Sequence, residues 1–513
     1  MATMTCKIVG RESLSNLDQF DTVVLLVDKP ETYASSLAAL PAKFRTEIEQ
    51  FAKKKSFKPK PGTHFSYETL QLKVTISCLP KGSSTFGLLE WARKQVGALT
   101  PGDRGSTLAI VSAGSERRTR KLLDVLPSAL STGKFELPSS KAKKPESEAA
   151  KDKGKVLKFS FCVESIQVDE AAQILNEALT IADGTNLVRQ LAVLPGNQLT
   201  PTLYRKHVEQ LVKQAGLKAE WISLSQLKKM GAGAFEAVAQ GATDPNSGIF
   251  KIHYAPRKAQ NRIALVGKGI CFDTGGFNLK TGPHMYGMND DMTGSAIALS
   301  LLLTLKRLGL PVSATAYLAI TENVLSPGAF RPNDVVKALS GKTIEVVDTD
   351  AEGRMVLADT LTLAAKETPD LILDFATLTG ACVRALGNLY SGAYSNQRKL
   401  FSKIRRAGRQ SGERVWPLPN DMDYGRCLKS EVADIKQCRP SGGVDHIEAG
   451  YFLRQFVPRT VPWVHVDLSA SSNEGGLGHI PSKTTGFGVR FGMDFIRAFI
   501  KSDSSSLHNP SPR

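Results

Sequence analysis

Strand-like and helix-like segments alternate from residue 204 onward, and this alternation constrains the fold more than any other feature of the sequence. Residues 204–215 have a helical pattern and 219–222 a strand-like one, and the strand-like run 262–266 precedes a helical pattern over 294–308. The series continues with a strand at 314–320, a helix at 354–366 and a strand at 370–375. Such alternation builds a sheet with helices packed against it. The sequence therefore predicts an α/β domain with a central mixed sheet.

A second, smaller α/β domain is predicted to precede it. Its evidence is a pair of short buried strands at 22–27 and 107–111 and an exposed, charged helix at 41–55. Residues 132–155 are rich in Lys, Ser, Glu, Ala and Pro, a composition that predicts a flexible segment. The predicted organisation is an N-terminal domain over residues 1–165, a linking helix over 166–195, a larger domain over 196–505 and a disordered tail over 506–513.

Length and composition restrict the class of protein. A chain of 513 residues exceeds one ordinary domain, and its 42% hydrophobic and 22% charged residues are typical of a soluble globular protein. No apolar run reaches the ~18–20 residues that span a bilayer, and the N-terminus lacks a secretory pattern. The seven cysteines include no C-x-x-C pair, which argues against a zinc knuckle. We expect a cytoplasmic protein with reduced thiols, and Lys7 and Arg11 leave a mitochondrial location as the alternative.

The net charge of +17 is unevenly distributed, with +11 in residues 1–160. A basic N-terminal region favours acidic partners such as nucleic acid. The alternative is a solubilising face, and the sequence holds no aromatic–basic motif that would select nucleic acid.

Three short segments combine glycine with carboxylates: 266–280 (VGKGICFDTGGFNLK), 288–294 (MNDDMTG) and 348–355 (DTDAEGRM). Each lies after or close to a predicted strand, and open α/β sheets bind ligands at the carboxyl ends of strands. A carboxylate cluster repels itself unless a cation neutralises it. Two divalent ions about 4 Å apart, bridged by carboxylates, would do so. The candidate ligands are Asp273, Asp291, Asp350 and Glu352.

Each of these acids also has a structural interpretation. Asp273 before Thr-Gly-Gly could shape a turn. Asp290 and Asp291 could cap the helix that begins near Gly294, and Glu352 could lie in the first turn of the next helix. The spacing does not decide between capping and metal binding, because it does not show that the three segments converge.

Residues 348–355 resemble N-T-D-A-E-G-R-L, the signature octapeptide of the leucyl aminopeptidases, the M17 or cytosol aminopeptidase family, with six identities in eight. Residues 266–280 are similar to the family's V-G-K-G-x-x-[FY]-D-[ST]-G-G-x-x-x-K, and 321–335 (TENVLSPGAFRPNDV) to its E-N-x-x-x-x-x-[AS]-x-R-P-x-D-[VI]. Shorter resembling blocks occur at 376–382, 463–468 and 485–489. The resemblance implies a catalytic α/β domain after a macro-like N-terminal domain.

The resemblance also implies a role for each matched residue. The metal ligands would be Lys268, Asp273, Asp291, Asp350 and Glu352. The catalytic residues would be Lys280 and Arg354, with a bicarbonate ion held near Arg354. The pocket for the first side chain of the substrate would be lined by Met288, Thr377 and Gly380. The two ions would be Zn²⁺ or Mn²⁺, with Mg²⁺ or Co²⁺ as alternatives.

The activity implied by the resemblance is that of a leucyl aminopeptidase, which hydrolyses the N-terminal peptide bond of peptides through a water activated by two metals. The resemblance also implies a homohexamer. The alternative is a catalytically weak family member with a structural or nucleic-acid-binding role.

Three features depart from the family pattern. Asn289 stands where the family has a basic residue and is followed by an extra acid, Asp290; Asp348 replaces the family's Asn. The segment 442–453 (GGVDHIEAGYFL) also differs from the family's Ala-rich run. We expect these changes to alter the metal affinity, the pH optimum or the activity.

Overall fold

The computed structural model of the chain describes residues 3–10, 14, 17–69, 72–82, 84–99, 105–112, 115–141 and 156–506. It divides into two compact units. One comprises Met1–Asp183 with Gly476–Pro481, and the other comprises Gly184–Gly475 with Ser482–Arg513.

The first unit is built on a sheet whose strands are β1 (Thr3–Val9), β2 (Thr22–Val27), β3 (His64–Glu68), β4 (Lys73–Cys78), β5 (Ser106–Ser112) and β6 (Val156–Val163). Its helices are α1 (Tyr33–Leu37), α2 (Ala42–Lys54), α3 (Thr85–Gln95) and α4 (Glu116–Lys134). The strand order is β1-β6-β5-β2-β4-β3, and all neighbours are parallel except β3 and β4. β2, β5 and α2 confirm the predicted strands and helix of this region.

The central strand β2 is buried along its whole length because both faces of the sheet are covered. Val24 and Leu26 belong to one hydrophobic cluster, whereas Val23, Leu25 and Val27 belong to another. Successive side chains of a strand point to opposite faces. A continuous apolar run is therefore the sequence expected of a parallel strand between two layers of helices.

Two predicted flexible segments lie mostly outside the described residues. Of the segment predicted over 132–155, residues 132–134 form the end of α4, and 142–155 lie outside the described residues. In the tail predicted over 506–513, Ser506 ends a helix and 507–513 lie outside the described residues.

The second unit contains two sheets. The strands of the larger sheet are β7 (Lys218–Ser223), β8 (Gly248–Tyr254), β9 (Asn261–Asp273), β10 (Val312–Asn323), β13 (Leu371–Ala376), β14 (Ser391–Ser395), β15 (Val415–Pro417) and β17 (Trp463–Asp467). The smaller sheet consists of β11 (Val335–Lys337), β12 (Thr343–Glu345) and β16 (Ile435–Lys436). The larger sheet has the order β15-β14-β17-β13-β9-β10-β8-β7. Because β17, β13, β9 and β10 are parallel and β14, β8 and β7 pair antiparallel, the predicted mixed sheet is confirmed.

A long helix, α5 (Val168–Ala192), lies within the range 166–195, and its role as a link between domains stays a prediction. The remaining helices are α6 (Pro201–Gln214), α7 (Leu224–Met230), α8 (Gly233–Ala239), α9 (Gly282–Met285), α10 (Thr293–Arg307), α11 (Glu352–Ala365), α12 (Gly380–Leu386), α13 (Phe401–Ser411), α14 (Asp445–Arg454) and α15 (Val489–Ser506). The helices predicted at 204–215, 294–308 and 354–366 are confirmed as α6, α10 and α11. Within the described ranges no helix has the length and apolar character needed to cross a membrane.

The N-terminus of α10 packs directly on the backbone of the large sheet. A Cβ atom added to Gly294 would lie 2.1 Å from the carbonyl oxygen of Phe375 in β13 and 3.1 Å from the amide nitrogen of Lys268 in β9. The first distance is far shorter than a van der Waals contact, so only glycine allows the helix to come this close. This approach fixes the loop before α10, which carries Asp291, against the ends of the strands.

We expect Gly294→Ala to destabilise the second unit by about 1–3 kcal/mol, because the added methyl group overpacks the helix–sheet contact and no flexible side chain can yield. The matched control is Gly282→Ala, since a Cβ at Gly282 meets nothing within 4 Å. Thermal or urea unfolding of the two variants and the parent protein measures the effect. Equal stability of the two variants would contradict this account of the packing.

Candidate metal centre

The carboxyl ends of three neighbouring parallel strands meet at one edge of the large sheet. β9 ends at Asp273, which is paired with Asn323 at the end of β10. On the other side of β9, β13 ends at Ala376 and is followed by Thr377. The loops and helices that follow these strands bring the acidic segments together there. This is the position at which open α/β sheets bind ligands.

Asp273, Asp350 and Glu352 form a compact carboxylate cluster. One oxygen of each lies within 4.8 Å of an oxygen of the other two. Asp273 and Glu352 are buried, whereas Asp350 is half-buried. Asp350 lies in the single 3-10 turn Thr349–Ala351, and Glu352 begins α11 directly after it. Two of the three acidic segments therefore meet in the folded chain, which their spacing in the sequence could not establish.

Lys268 connects Asp291 to this cluster. Its Nζ lies 2.8 Å from Asp291 Oδ2 and 2.8 Å from Glu352 Oε1, and it donates a hydrogen bond of 3.0 Å to the carbonyl oxygen of Thr377. The lysine reaches this position by lying against Gly353, where a Cβ atom would stand 2.7 Å from its Cε and Nζ. All five predicted metal ligands are therefore within one continuous site.

Lys280 lies on the other side of the carboxylates. Its Nζ is 2.9 Å from Asp273 Oδ2 and 2.5 Å from Asp350 Oδ1. Together with Lys268, it supplies two positive charges against the four negative charges of the ionised carboxylates. The site therefore carries an excess of negative charge in a buried environment, and buried charges are stable only when they are compensated.

Burial and mutual repulsion raise the pKa values of these carboxyl groups. Burial, then repulsion by Asp273, raises the pKa of Glu352 to about 8 and that of Asp350 to about 6. Burial outweighs the neighbouring Lys268 ammonium and raises the pKa of Asp291 to about 7. Burial opposes the charge of Lys268 as well, but the surrounding carboxylates outweigh it and raise its pKa.

Asn323 fixes the cluster, and the sequence assigned it no role. Its Nδ2 donates hydrogen bonds to Asp273 Oδ1 at 2.8 Å and to the carbonyl oxygen of Thr349 at 3.0 Å, and it lies 3.4 Å from Glu352 Oε2. Asn323 belongs to the matched segment 321–335, but only the register of β10 against β9 places it beside Asp273.

Arg354 is hydrogen-bonded to groups other than the carboxylates of the cluster. Its guanidinium is 98% buried, donates from Nη1 to the carbonyl oxygen of Gln437 at 3.1 Å, and donates from Nη2 to Asp445 Oδ1 and Oδ2 at 2.8 and 2.9 Å. Burial disfavours the charge of Arg354, but the Asp445 carboxylate outweighs burial and raises the pKa of the guanidinium. This predicted catalytic residue thus has a counter-charge from the chain itself.

The three residues predicted to line the substrate pocket have different surroundings. Thr377 Oγ1 donates a hydrogen bond of 2.6 Å to Asp291 Oδ1, which places it at the candidate ligands. Met288 is half-buried in the turn Met288–Asp290, which leads into Asp291. Gly380 is exposed at the first position of α12.

The residues that depart from the family pattern have local structural roles. Asn289 Nδ2 donates to the carbonyl oxygens of Ala192 and Leu194 at 3.2 and 2.9 Å, and so it satisfies acceptors at the C-terminal end of α5. Asp348 Oδ1 accepts a hydrogen bond of 2.9 Å from the backbone N–H of Asp350 and caps its turn. Burial raises the pKa of Asp290 to about 6.

The residues at this site fit divalent metal ions. Oxygen ligands from carboxylates suit Zn²⁺, Mn²⁺, Mg²⁺ and similar ions. The raised pKa values of Asp291, Asp350 and Glu352 show that their ionised forms are disfavoured where they stand. Added positive charge would reverse this effect. The carboxylate cluster therefore has the ligand atoms of a metal centre, and it lacks the positive charge that metal ions would supply.

We expect the chelator-treated protein to lose stability as the pH rises from about 4 to about 8, which is the folded pKa of Glu352, with the contribution of Asp350 complete at its folded pKa of about 6. The unfolded chain releases these protons near pH 4, whereas the folded protein still holds them, so the free energy of unfolding falls with pH until each folded pKa is passed and then levels off. Mn²⁺ binds the ionised carboxylates and should remove this part of the decline.

Thermal unfolding at several pH values, with chelator or with Mn²⁺, measures the difference between the two slopes. Asp359 and Glu413, which are buried elsewhere and have raised pKa values of about 6 and about 7, contribute equally to both slopes and cancel in the comparison. Identical slopes with chelator and with Mn²⁺ would show that these carboxylates do not bind the metal.

Comparison with known proteins places this site in a family. Residues 186–492, more than half of the chain, match the catalytic domain of the cytosol aminopeptidase family. A probable cytosol aminopeptidase of Syntrophotalea carbinolica is 40% identical over 64% of this chain and 66% of its own length. One from Stutzerimonas stutzeri is 38% identical over 71% of each chain. The chain thus spans just under two thirds of the first of these relatives.

Solved structures extend the likeness to nearly the whole chain. The bottromycin maturation enzyme BotP, determined alone and in complex with Mn, has a TM-score of 0.79 and 27% sequence identity. The superposition with BotP alone covers 94% of this chain and 100% of BotP. The matched residues include every carboxylate of the site, and the chain therefore belongs to the cytosol aminopeptidase family.

Proposed function

We propose that this chain is a metal-dependent leucyl aminopeptidase of the type classified as EC 3.4.11.1, which removes single residues from the free N-terminus of peptides. The observation that carries the proposal is the cluster of the buried Asp273 and Glu352 and the half-buried Asp350 with two lysines, at the strand ends of a domain that matches the family's catalytic domain. The proposal is also supported by relatives of this chain that are named probable cytosol aminopeptidases.

Two divalent ions would be held by Lys268, Asp273, Asp291, Asp350 and Glu352. When bound, they would polarise the scissile carbonyl and make a water molecule nucleophilic at neutral pH. The Mn in one BotP structure supports Mn²⁺, and the oxygen-rich ligand set also suits Zn²⁺, Mg²⁺ or Co²⁺. Lys268 can be a ligand only as a neutral amine, so two adjacent dications must reverse the rise of its pKa.

Lys280 would act directly on the substrate. Its ammonium lies at the border of the carboxylate cluster, 2.9 Å from Asp273 Oδ2, and is only partly buried. A positive charge at this place stabilises negative charge that develops on the scissile carbonyl oxygen. Burial opposes the charge of Lys280, but the nearby carboxylates outweigh burial and raise its pKa.

Selectivity for the N-terminal residue would come from Asp291 and its neighbours. Asp291 is oriented by the hydroxyl of Thr377 at 2.6 Å and is buried beside the metal ligands, where it can hold the free α-amine of a peptide. A blocked N-terminus would offer no such group. Met288, Thr377 and Gly380 would line the pocket for the first side chain, and an apolar lining favours leucine with a broad preference.

We also propose an assembly, a location and a further partner for this chain. The family resemblance supports a homohexamer and a cytoplasmic location, and the basic N-terminal region supports binding to nucleic acid, which should weaken steeply with salt. A catalytically weak member with a structural role is the alternative function. The presence of all five candidate ligands and both candidate catalytic residues argues for the active enzyme.

We expect the purified protein to release p-nitroaniline from leucine-p-nitroanilide, to lose this activity on chelation and to regain it with Mn²⁺ or Zn²⁺. Glu352→Ala should abolish the metal-dependent activity, because Glu352 contacts both Lys268 and the other carboxylates. Glu431→Ala, which changes an exposed glutamate, is the control and should leave the rate unchanged. A folded protein that is inactive with every metal tested would favour the structural role.

Lys280→Met should lower kcat by about 10²–10³ with little effect on metal content, since it removes a charge that acts on the developing oxyanion. Steady-state kinetics and metal analysis of the same preparation measure both quantities. Loss of metal in step with activity would instead assign Lys280 to holding the carboxylates.

A further inference from the structure

The N–H groups of Arg354 are largely occupied by groups of the chain itself, unlike those of an arginine that binds a dissolved anion. The resemblance to the family implies a bicarbonate ion on this residue. In this chain Nη1 is bonded to the carbonyl oxygen of Gln437, and Nη2 is bonded to both oxygens of Asp445. Nε is buried and has no hydrogen-bond partner among the described residues.

A dissolved oxyanion does not fit beside this pair. A planar oxyanion binds a guanidinium best through two adjacent N–H groups. The Nε and Nη2 edge of Arg354 offers such a pair, but Nη2 already donates to Asp445. Bicarbonate on this edge would therefore have to displace the carboxylate or lie directly against a like charge, which is unfavourable.

Asp445 is held in place by the fold. It is the first residue of α14, where the helix dipole favours a negative charge. The helix packs on α11, which carries Arg354 in its first turn. Asp445 also lies within the segment 442–453, which departs from the family pattern. The side chain is 32% exposed, whereas that of Arg354 is 2% exposed, so solvent reaches the carboxylate but hardly reaches the guanidinium.

We propose that the Asp445 carboxylate is a built-in anion that occupies the place of a dissolved oxyanion on Arg354, so that the activity of this chain does not depend on bicarbonate. Asp445 is then a positioning residue that acts through Arg354. This inference deepens the proposed aminopeptidase function and rests on it. The alternative role for Asp445 is to neutralise a buried arginine with no bearing on anion binding.

The first test is a thermal-shift measurement on metal-free protein, which does not require activity. A ligand that binds only the folded protein raises its melting temperature. Millimolar bicarbonate, compared with chloride at equal ionic strength, should raise the melting temperature of Asp445→Ala and leave that of the parent protein unchanged. Asp445→Ser is the second variant, since it removes the charge but keeps a polar side chain in the first turn of α14. The control is Asp423→Ala, which breaks an exposed ion pair with Arg426.

The second test is the rate of leucine-p-nitroanilide hydrolysis in buffer purged of carbon dioxide. The parent protein should have the same kcat/KM with and without bicarbonate. Asp445→Ala should lose about 10–100-fold, a typical cost of removing a group that orients an active-site residue, and should regain much of it with bicarbonate or formate. A purely neutralising role predicts loss without rescue.

The inference is overturned if bicarbonate stabilises or activates the parent protein, or if neither Asp445 variant responds to bicarbonate. A parent protein without any metal-dependent peptidase activity would instead refute the proposed function. The thermal-shift measurement would then still decide whether Asp445 excludes the oxyanion.

Discussion

The structure of the second unit depends on the compensation of buried carboxylate charge at one edge of its sheet. Asp273, Asp291 and Glu352 are almost fully buried, and each is held by a lysine, an asparagine or a hydroxyl group that the fold supplies. Two ammonium groups cannot balance four carboxylates. Burial, together with this lack of positive charge, accounts for the raised pKa values of Asp291 and Glu352. Divalent cations are the compensating charge that a hydrolytic site of this kind would use.

The backbone makes this concentration of charge geometrically feasible. Parallel pairing of β9 with β10 and β13 brings the ends of three strands to one place. Glycines then allow close approach, with Gly294 seating α10 on the sheet and Gly353 leaving room for the side chain of Lys268. The functional groups therefore lie on rigid elements or in single turns next to them, which is the arrangement that holds ligands at fixed distances.

Much of this fold follows from sequence patterns. Hydrophobic runs and helical periodicity are local properties, so β2, α2, α6, α10 and α11 could be predicted from them. Glycine with acids after strands indicated the site, and the family resemblance of residues 266–280 added Lys268, which spacing alone gives no reason to choose. The pairing of Asn323 with Asp273 depends on strand register, and the contact between Arg354 and Asp445 joins residues 91 positions apart. Neither could be predicted, because no local pattern encodes a tertiary contact of that kind.

The central claim is that the buried carboxylates hold two divalent ions, and anomalous diffraction from crystals of the protein grown with Mn²⁺ tests it most directly. The account predicts two anomalous peaks, both within coordination distance of Asp273 and Glu352, with Asp350, Asp291 and Lys268 completing the ligands. Peaks confined to other acidic groups, or an electron density map in which Lys268 and Lys280 still hold the carboxylates at saturating Mn²⁺, would contradict it.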